Sequence, residues 1–421
     1  MTLRAEKRFL TLLSGEESCT VPAARYPIVE QMLNGVLGSE VEERWKVSLG
    51  RFAAWIRANP ELVRNAMERS AWVDPPKNAY ASPLLLNLEL TTRCPLRCPQ
   101  CYCDLERGKD LPLKRAVTVL KQAVAEGVGY VNLSGGETMV YPHLYPLLEV
   151  CSGLGLDSAV ALSGWGVNRQ SLRRLMDCGV GAIYVSLNGS TEEISRTTRD
   201  GFSLAIEALE LLAEARFERT AINWVAHSAN VEDFPNVAAL CSKYGVRRLF
   251  VLGFKPDSAR RMNGVPDARQ TLALASDIRR LRKETPYLSI EVENCYSPLR
   301  AYLSRKFFGN LNVGISKGCG AGRDGASLDV DGNFTPCRHL EYPENFESLG
   351  DYWRDSPVLR TLREVEDRPE APCDICGLSA NCLCCMAVSA KLLGRLVKAN
   401  EYCFLRKEPL DGTKMEKVHS F

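Results

Sequence analysis

The chain has 421 residues, 45% hydrophobic and 25% charged, with 53 Lys+Arg against 51 Asp+Glu and a net charge of +2. That length sets a prior of two to three domains, and so even a balance gives no global reason to bind nucleic acid or an anionic membrane. Seventeen cysteines against four histidines exclude a histidine-rich metal site and leave disulfides, zinc–thiolate sites or iron–sulfur clusters.

Disulfides are the weakest of the three. The first residues, Met1-Thr-Leu-Arg-Ala-Glu-Lys-Arg-Phe9, are charged where a secretory signal needs an apolar stretch, and no apolar run approaches the roughly 18 residues of a membrane span. The expectation is a cytoplasmic, reduced chain, where structural disulfides are rare. An odd cysteine count also forbids full pairing. Cys94, Cys98, Cys101 and Cys103 form one group, and Cys319, Cys337, Cys373, Cys376, Cys382, Cys384, Cys385 and Cys403 a second. Cys19, Cys151, Cys178, Cys241 and Cys295 are scattered, as small buried hydrophobes are.

In chain order, residues 1–80 read as a mostly helical domain. Segments 27–33, 41–47 and 51–56 carry apolar residues at helical spacing, and Asn59-Pro60 and Pro75-Pro76 punctuate them, the latter as a linker. From about 83 strands and helices alternate. Strand 84–90 runs into the first cysteine group and helix 114–126 follows. Strand 129–134 ends in Gly135-Gly136-Glu137, before helix 146–152. Strand 158–162 ends in Ser163-Gly164, before helix 169–178. Strand 182–187 ends in Asn188-Gly189, before helix 204–213. Strand 220–226, helix 234–244, strand 248–252 and helix 270–283 complete six units. Such alternation predicts a parallel sheet with crossover helices, as an open partial barrel or a doubly wound sheet. In both, functional residues belong at strand C-termini, where each polar or Gly motif sits. This unit takes residues 81–290. Beyond it, 291–421 holds short strands, turns such as Asp331-Gly332, the second cysteine group and a polar tail from about 405.

Cys94-Pro-Leu-Arg-Cys98-Pro-Gln-Cys101 offers three thiolates on one short loop. They can hold three corners of a [4Fe–4S] cube and leave the fourth iron open; with Cys103 the same loop could instead close a zinc site. Two glycines at 135–136 let a ligand approach the backbone, and the acid of Glu137 can hold an ammonium. Together the two motifs resemble the radical S-adenosylmethionine (SAM) superfamily, over about 83–285. The resemblance implies a partial (β/α)6 TIM-like barrel, with SAM chelating the open iron of the Cys94–Cys98–Cys101 cluster. It implies Gly135, Gly136 and Glu137 around the SAM amino group, and Ser163, Ser186 and Arg199 around its ribose or carboxylate. Two positions depart from the family pattern. Gln100 stands where an aromatic or His is usual, with Tyr102 just after, and Thr138 stands where proline is usual.

The second group, Cys319-x12-Gly332-x4-Cys337 followed by Cys373-x2-Cys376-x5-Cys382, Cys384, Cys385 and Cys403, resembles the SPASM extension of radical SAM enzymes. It departs from that pattern at one step, where Met386 takes the expected cysteine position. The resemblance implies two auxiliary [4Fe–4S] clusters, three in all. Cys373, Cys376, Cys382 and Cys403 would hold the outer one and Cys319, Cys337 and Cys385 the inner, with Cys384 in reserve. The inner fourth position is either Cys295 or open. Zinc sites are the alternative reading.

The resemblance implies an oxidoreductase that reductively cleaves SAM to a 5′-deoxyadenosyl radical and modifies a ribosomally made peptide. The outcome would be a thioether or carbon–carbon cross-link, another oxidation, or epimerisation. An electron donor such as flavodoxin or ferredoxin is implied as partner. Two alternatives stand beside it: a small-molecule dehydrogenase acting on an alcohol or aminocyclitol, and a non-enzymatic zinc–thiolate scaffold. Sulfatase-maturing relatives usually carry Asp after the cysteine matching Cys337; Arg338 here counts against that activity. Residues 1–80 are a peptide-docking domain or a cap on the barrel. His143, His227, His339 and His419 read as structural, and no general base is identified.

Overall fold

The computed structural model describes residues 2–6, 9–14, 17–22, 26–35, 51–69, 75–256, 259–304 and 318–407. The expected helix at 41–47 and the tail with His419 lie outside the described residues.

The N-terminal region corrects the mostly helical reading. Strands β1 (Thr2–Glu6), β2 (Phe9–Ser14) and β3 (Glu17–Pro22) form an antiparallel meander, accompanied by helices Tyr26–Leu33, Arg51–Ala58 and Pro60–Arg69. β1, Thr2-Leu-Arg-Ala-Glu6, alternates polar and apolar residues, a period-two signal distinct from the helical spacing that follows residue 26. The pairing of β2 with β3 runs from Phe9 with Pro22 to Ser14 with Glu17. Leu12 and Val21 from the sheet, with Val29, Met32, Ile56, Val63 and Ala66 from the helices, make a core of their own.

The main sheet contains β4 (Leu85–Glu89), β5 (Tyr130–Ser134), β6 (Asp157–Leu162), β7 (Ala182–Ser186), β8 (Thr220–Ala226), β9 (Arg248–Gly253) and β10 (Ser289–Val292), each parallel to the next. This monotonic order has no point at which the winding reverses. A doubly wound sheet requires one, so the fold is the partial barrel. β10 extends it one strand beyond the six expected units, in a stretch where only Ile290 and Val292 are buried.

Alternation along the strands divides the barrel into layers. Val131, Leu133, Ile183, Val185, Ile222, Leu249 and Val251 point outward into the main core. Tyr130, Ala159, Ala182, Tyr184, Ala221 and Phe250 point inward and fill the bottom of the lumen, with the Tyr130 and Tyr184 hydroxyls 2.6 Å apart. The same inward phase, continued up β5 and β7, delivers Ser134 and Ser186 to the open top.

The C-terminal region joins the sheet itself. β11 (Gly325–Leu328) pairs parallel with β4, and β12 (Phe334–Thr335) pairs antiparallel with β11. The edge beside β4 is thereby covered, which removes an exposed template for pairing. The turn between β11 and β12 is pinned to the barrel: Asp331 pairs with Arg107 and Lys109, and Arg115 Nε donates to the Gly332 carbonyl at 2.9 Å. Gly332 has φ of 83°, and a Cβ there would lie 2.9 Å from the Arg115 side chain, so the turn requires glycine. Buried Arg323 pairs with Glu366 at 2.6 Å, Arg363 Nε donates to the Gly322 carbonyl at 2.7 Å, and Trp353 Nε1 donates to the Tyr80 carbonyl at 2.9 Å. No helix among the described residues is long and apolar enough to cross a membrane.

Candidate active site

A cavity opens at the C-terminal end of the barrel strands, where parallel α/β folds place their sites. Cys94, Cys98 and Cys101 line one side, from the loop that leaves β4. Burial raises the Cys94 and Cys98 thiol pKa values, and the three thiols lie within electrostatic reach of one another. Gly135 and Gly136 line the next wall, at the tip of β5.

Both glycines are required by backbone proximity. A Cβ on Gly135 would stand 2.4 Å from the Thr91 carbonyl oxygen, and one on Gly136 2.4 Å from that of Arg93. The approach is sealed by Gly136 N–H to Thr91 O at 2.6 Å and Glu137 N–H to Arg93 O at 2.9 Å. The β5 tip thus fixes the start of the cysteine loop. Gly136→Ala should therefore cost about 2–4 kcal/mol, as overpacking and two strained hydrogen bonds together do. A chemical-denaturation midpoint unchanged from wild type would show that the contact has slack.

Glu137 does not line the cavity. Its side chain is buried, with one oxygen accepting from Met139 N–H at 3.1 Å and the other from Ser163 N–H at 2.9 Å and the Ser163 hydroxyl. Burial raises its carboxyl pKa against these bonds, which favour the carboxylate. It braces the β6 exit, where Ser163 and Gly164 turn; Gly164 has φ of 101° and packs on the Leu204 carbonyl. Ser163, Ser186 and Arg199 all line the cavity. Arg199 Nε donates to the Ser186 carbonyl at 3.1 Å, and its positive charge acts on Cys98.

The opposite wall brings together groups that sequence reading did not connect. Lys255, two residues beyond β9, lines the cavity beside Arg338 and His339, which follow Cys337 in the segment leaving β12. The Tyr102 ring lies 4.0 Å from that of His339, and the Arg338 guanidinium stands 5.6 Å from the Tyr102 ring centroid. The Gln100 side-chain oxygen and the Tyr102 hydroxyl are buried without a hydrogen-bond partner, the state expected of polar atoms that face a ligand. Cys103 instead turns to the Gly135 carbonyl, 3.4 Å away.

The second cysteine group separates into two. Cys382 feels Cys403, Cys373 and Cys376, while Cys319, Cys337 and Cys385 feel one another in sequence. Cys295 and Lys255 join this latter set. Burial pushes Cys319 and Cys337 up to about 11 and Cys385 and Cys382 up to about 12. Buried thiols of this kind become thiolates when a cationic centre binds them. Cys384 points elsewhere, toward the Ala399 carbonyl at 3.5 Å, and contacts Cys373. The cysteines from Cys94 to Cys403 are free. Among the described residues no three Cys, His, Asp or Glu side chains gather closely enough to hold a single ion. One zinc ion needs its ligands to converge on a point; a four-iron cube takes each thiolate on a different iron.

The Radical SAM superfamily sequence model matches residues 88–241, from β4 to the helix before β9. With the parallel barrel and the cysteine loop at its mouth, this match makes residues 88–241 a radical SAM domain. The chain carries a SPASM-like cysteine-rich C-terminal region and is homologous to peptide-modifying maturases. PqqA peptide cyclase of Methylobacterium sp. (strain 4-46) is 27% identical over 322 residues, covering 70% of this chain and 79% of that one. Mycofactocin maturase MftC of Mycobacterium ulcerans (strain Agy99) is 26% identical over 356 residues, covering 81% and 89%. In fold, the chain is similar to Streptococcus suis SuiB bound to S-adenosylmethionine, with a TM-score of 0.70, 18% identity and coverage of 95% and 97%. SuiB bound to its precursor peptide SuiA gives 0.69 at 17% identity, covering 96% and 100%.

Proposed function

We propose that the enzyme cleaves SAM reductively and modifies a ribosomally made peptide. The observation that carries this reading is the single cavity shared by the Cys94–Cys98–Cys101 loop, the Gly135-Gly136 backbone and the Arg338–His339 segment of the cysteine-rich region. The homology to a peptide cyclase and a mycofactocin maturase supports a peptide substrate.

The donor set fits the cofactors. Cys94, Cys98 and Cys101 would hold the SAM-binding cluster. Bound there, the cluster and SAM would supply hydrogen-atom abstraction from the substrate. The Gly135 and Gly136 backbone would meet the SAM amino group, and Arg199, with Ser186 and Ser163 beside it, the carboxylate or ribose. Glu137 acts one step back, holding Ser163 in place. Cys373, Cys376, Cys382 and Cys403 would hold the outer auxiliary cluster. Cys319, Cys337 and Cys385 would hold the inner one, with Cys295 as its fourth ligand. Two closed auxiliary clusters would suit acceptance of the electron left on the substrate, and a flavodoxin- or ferredoxin-like donor would supply the electron for SAM cleavage. Lys255 would offset the negative charge of the inner cluster, and the barrel plug at Tyr130 and Tyr184 excludes water from below.

Anaerobic incubation with SAM, reductant and candidate short peptides tests the reading by mass spectrometry. The expected result is 5′-deoxyadenosine together with a peptide lighter by about 2 Da, for loss of two hydrogens, or carrying one solvent deuterium at unchanged composition. Turnover of aminocyclitols with every peptide unmodified would favour the dehydrogenase alternative.

A further inference from the structure

The cavity is lined by three cations, Arg199, Lys255 and Arg338, and by no Asp or Glu. Two of the cations have claimants. Arg199 is bonded to the Ser186 carbonyl and stands beside Cys98. Lys255 lies against Cys295, Cys385 and Cys337. Arg338 makes no hydrogen bond or ion pair among the described residues. The acidic groups within its electrostatic reach are Glu89 on β4 and the Tyr102, Cys103 and Cys337 side chains, and none of them forms an ion pair with it. The half-buried guanidinium feels Glu89 only through space, so its N–H donors remain open to a ligand. Beside it, the Tyr102 hydroxyl is a buried donor with no acceptor, and the Tyr102 ring contacts both the guanidinium and the His339 ring. A planar fork steadied on an aromatic face is built for bidentate contact. One unclaimed positive charge with one extra O–H donor matches a singly charged, planar anion.

Resting on the peptide reading above, we infer that Arg338 and the Tyr102 hydroxyl receive a carboxylate of the bound peptide, from an Asp or Glu side chain or from a free C-terminus. The segment after Cys337 then serves recognition in this chain. A cation at position 338 cannot remove a substrate proton, but it can fix the residue next to the abstraction site.

Three pools of N-acetylated random decapeptides, free of Asp and Glu elsewhere, test this against the SAM-loaded, cluster-reconstituted enzyme. One has a fixed central Glu and an amidated C-terminus, the second a central Gln and an amidated C-terminus, and the third a central Gln and a free C-terminus. Anaerobic equilibrium dialysis read by mass spectrometry gives the retained fraction. The expected result is retention of the first or the third pool about ten-fold above the second, the size of one charge-assisted hydrogen-bonded contact. The first pool leading identifies a side chain, and the third a C-terminus. The preference should vanish in Arg338→Gln, return in part in Arg338→Lys, and weaken in Tyr102→Phe, which keeps the ring and serves if Arg338→Gln fails to load iron. Equal retention of all three pools, or a preference that survives in Arg338→Gln, overturns the inference while leaving the peptide reading intact. Retention of no pool by the wild type overturns both.

Discussion

Replacing Cys94, Cys98 and Cys101 together by alanine should abolish 5′-deoxyadenosine formation and lower the iron content from about 12 to about 8 per chain, the loss of one cube out of three. The three thiols belong to one loop between β4 and the segment at Leu105–Arg107. Its entry is fixed by backbone contacts at Thr91 and Arg93 to the Gly135-Gly136 turn, and these do not involve the cysteine side chains. Alanine at these half-exposed positions therefore removes ligands without opening a core cavity. The auxiliary cysteines come from other segments, 295 and 319–403, and keep their own surroundings. Iron and sulfide analysis, with electron paramagnetic resonance of the reduced protein, reads the remaining clusters. Retained 5′-deoxyadenosine would refute the assignment. Loss of all iron would instead mean that the auxiliary sites depend on the first cluster for folding.

The barrel was legible in the sequence because its signals are local. Each of the strands β4 to β9 is an apolar run closed by a polar or glycine motif, and crossover helices separate them. The cysteine groups were legible because ligand spacing within a loop is a local constraint too. What escaped was either short or tertiary. Strands β1 and β10 alternate polar and apolar residues but offer only two apolar positions each, a fainter signal than the apolar runs of β4 to β9. The pairing of β11 with β4 joins residues about 240 positions apart, and nothing local encodes it. That same pairing brings Arg338 and His339 over Tyr102, which is why no spacing rule could have linked them. Glu137 illustrates a finer limit. The Gly-Gly-Glu motif marks where the turn is, but only the packed structure reveals that the carboxylate faces Ser163 and Met139 and leaves the backbone to line the cavity. A weak signal did exist for Arg338, since it stands where sulfatase-maturing relatives usually carry an acid.

Removal of residues 1–70 should abolish peptide modification while leaving SAM cleavage in the absence of peptide at the same order as in the full chain. The N-terminal sheet and helices bury their apolar residues in a core of their own, from Leu12 to Ala66, separate from the core that fills the barrel and the cysteine-rich region. Cutting them away thus takes a folded unit rather than part of the barrel. The position of the cut matters. Lys77 pairs with Asp367 at 2.7 Å, Asn78 Nδ2 donates to the Arg363 carbonyl at 2.9 Å, and Tyr80 N–H donates to the Arg323 carbonyl at 3.0 Å. A truncation that ran through residue 80 would strip these contacts from the C-terminal region, including a partner of buried Arg323. It would confuse loss of docking with loss of stability. With the cut at 70, full iron loading and an unchanged melting temperature for the barrel establish that the remainder is intact. Loss of peptide modification then assigns the N-terminal unit to substrate docking, whereas modification at the wild-type rate makes it a dispensable cap, and unimpaired turnover of a small alcohol by the truncated enzyme would carry the substrate assignment away from peptides altogether.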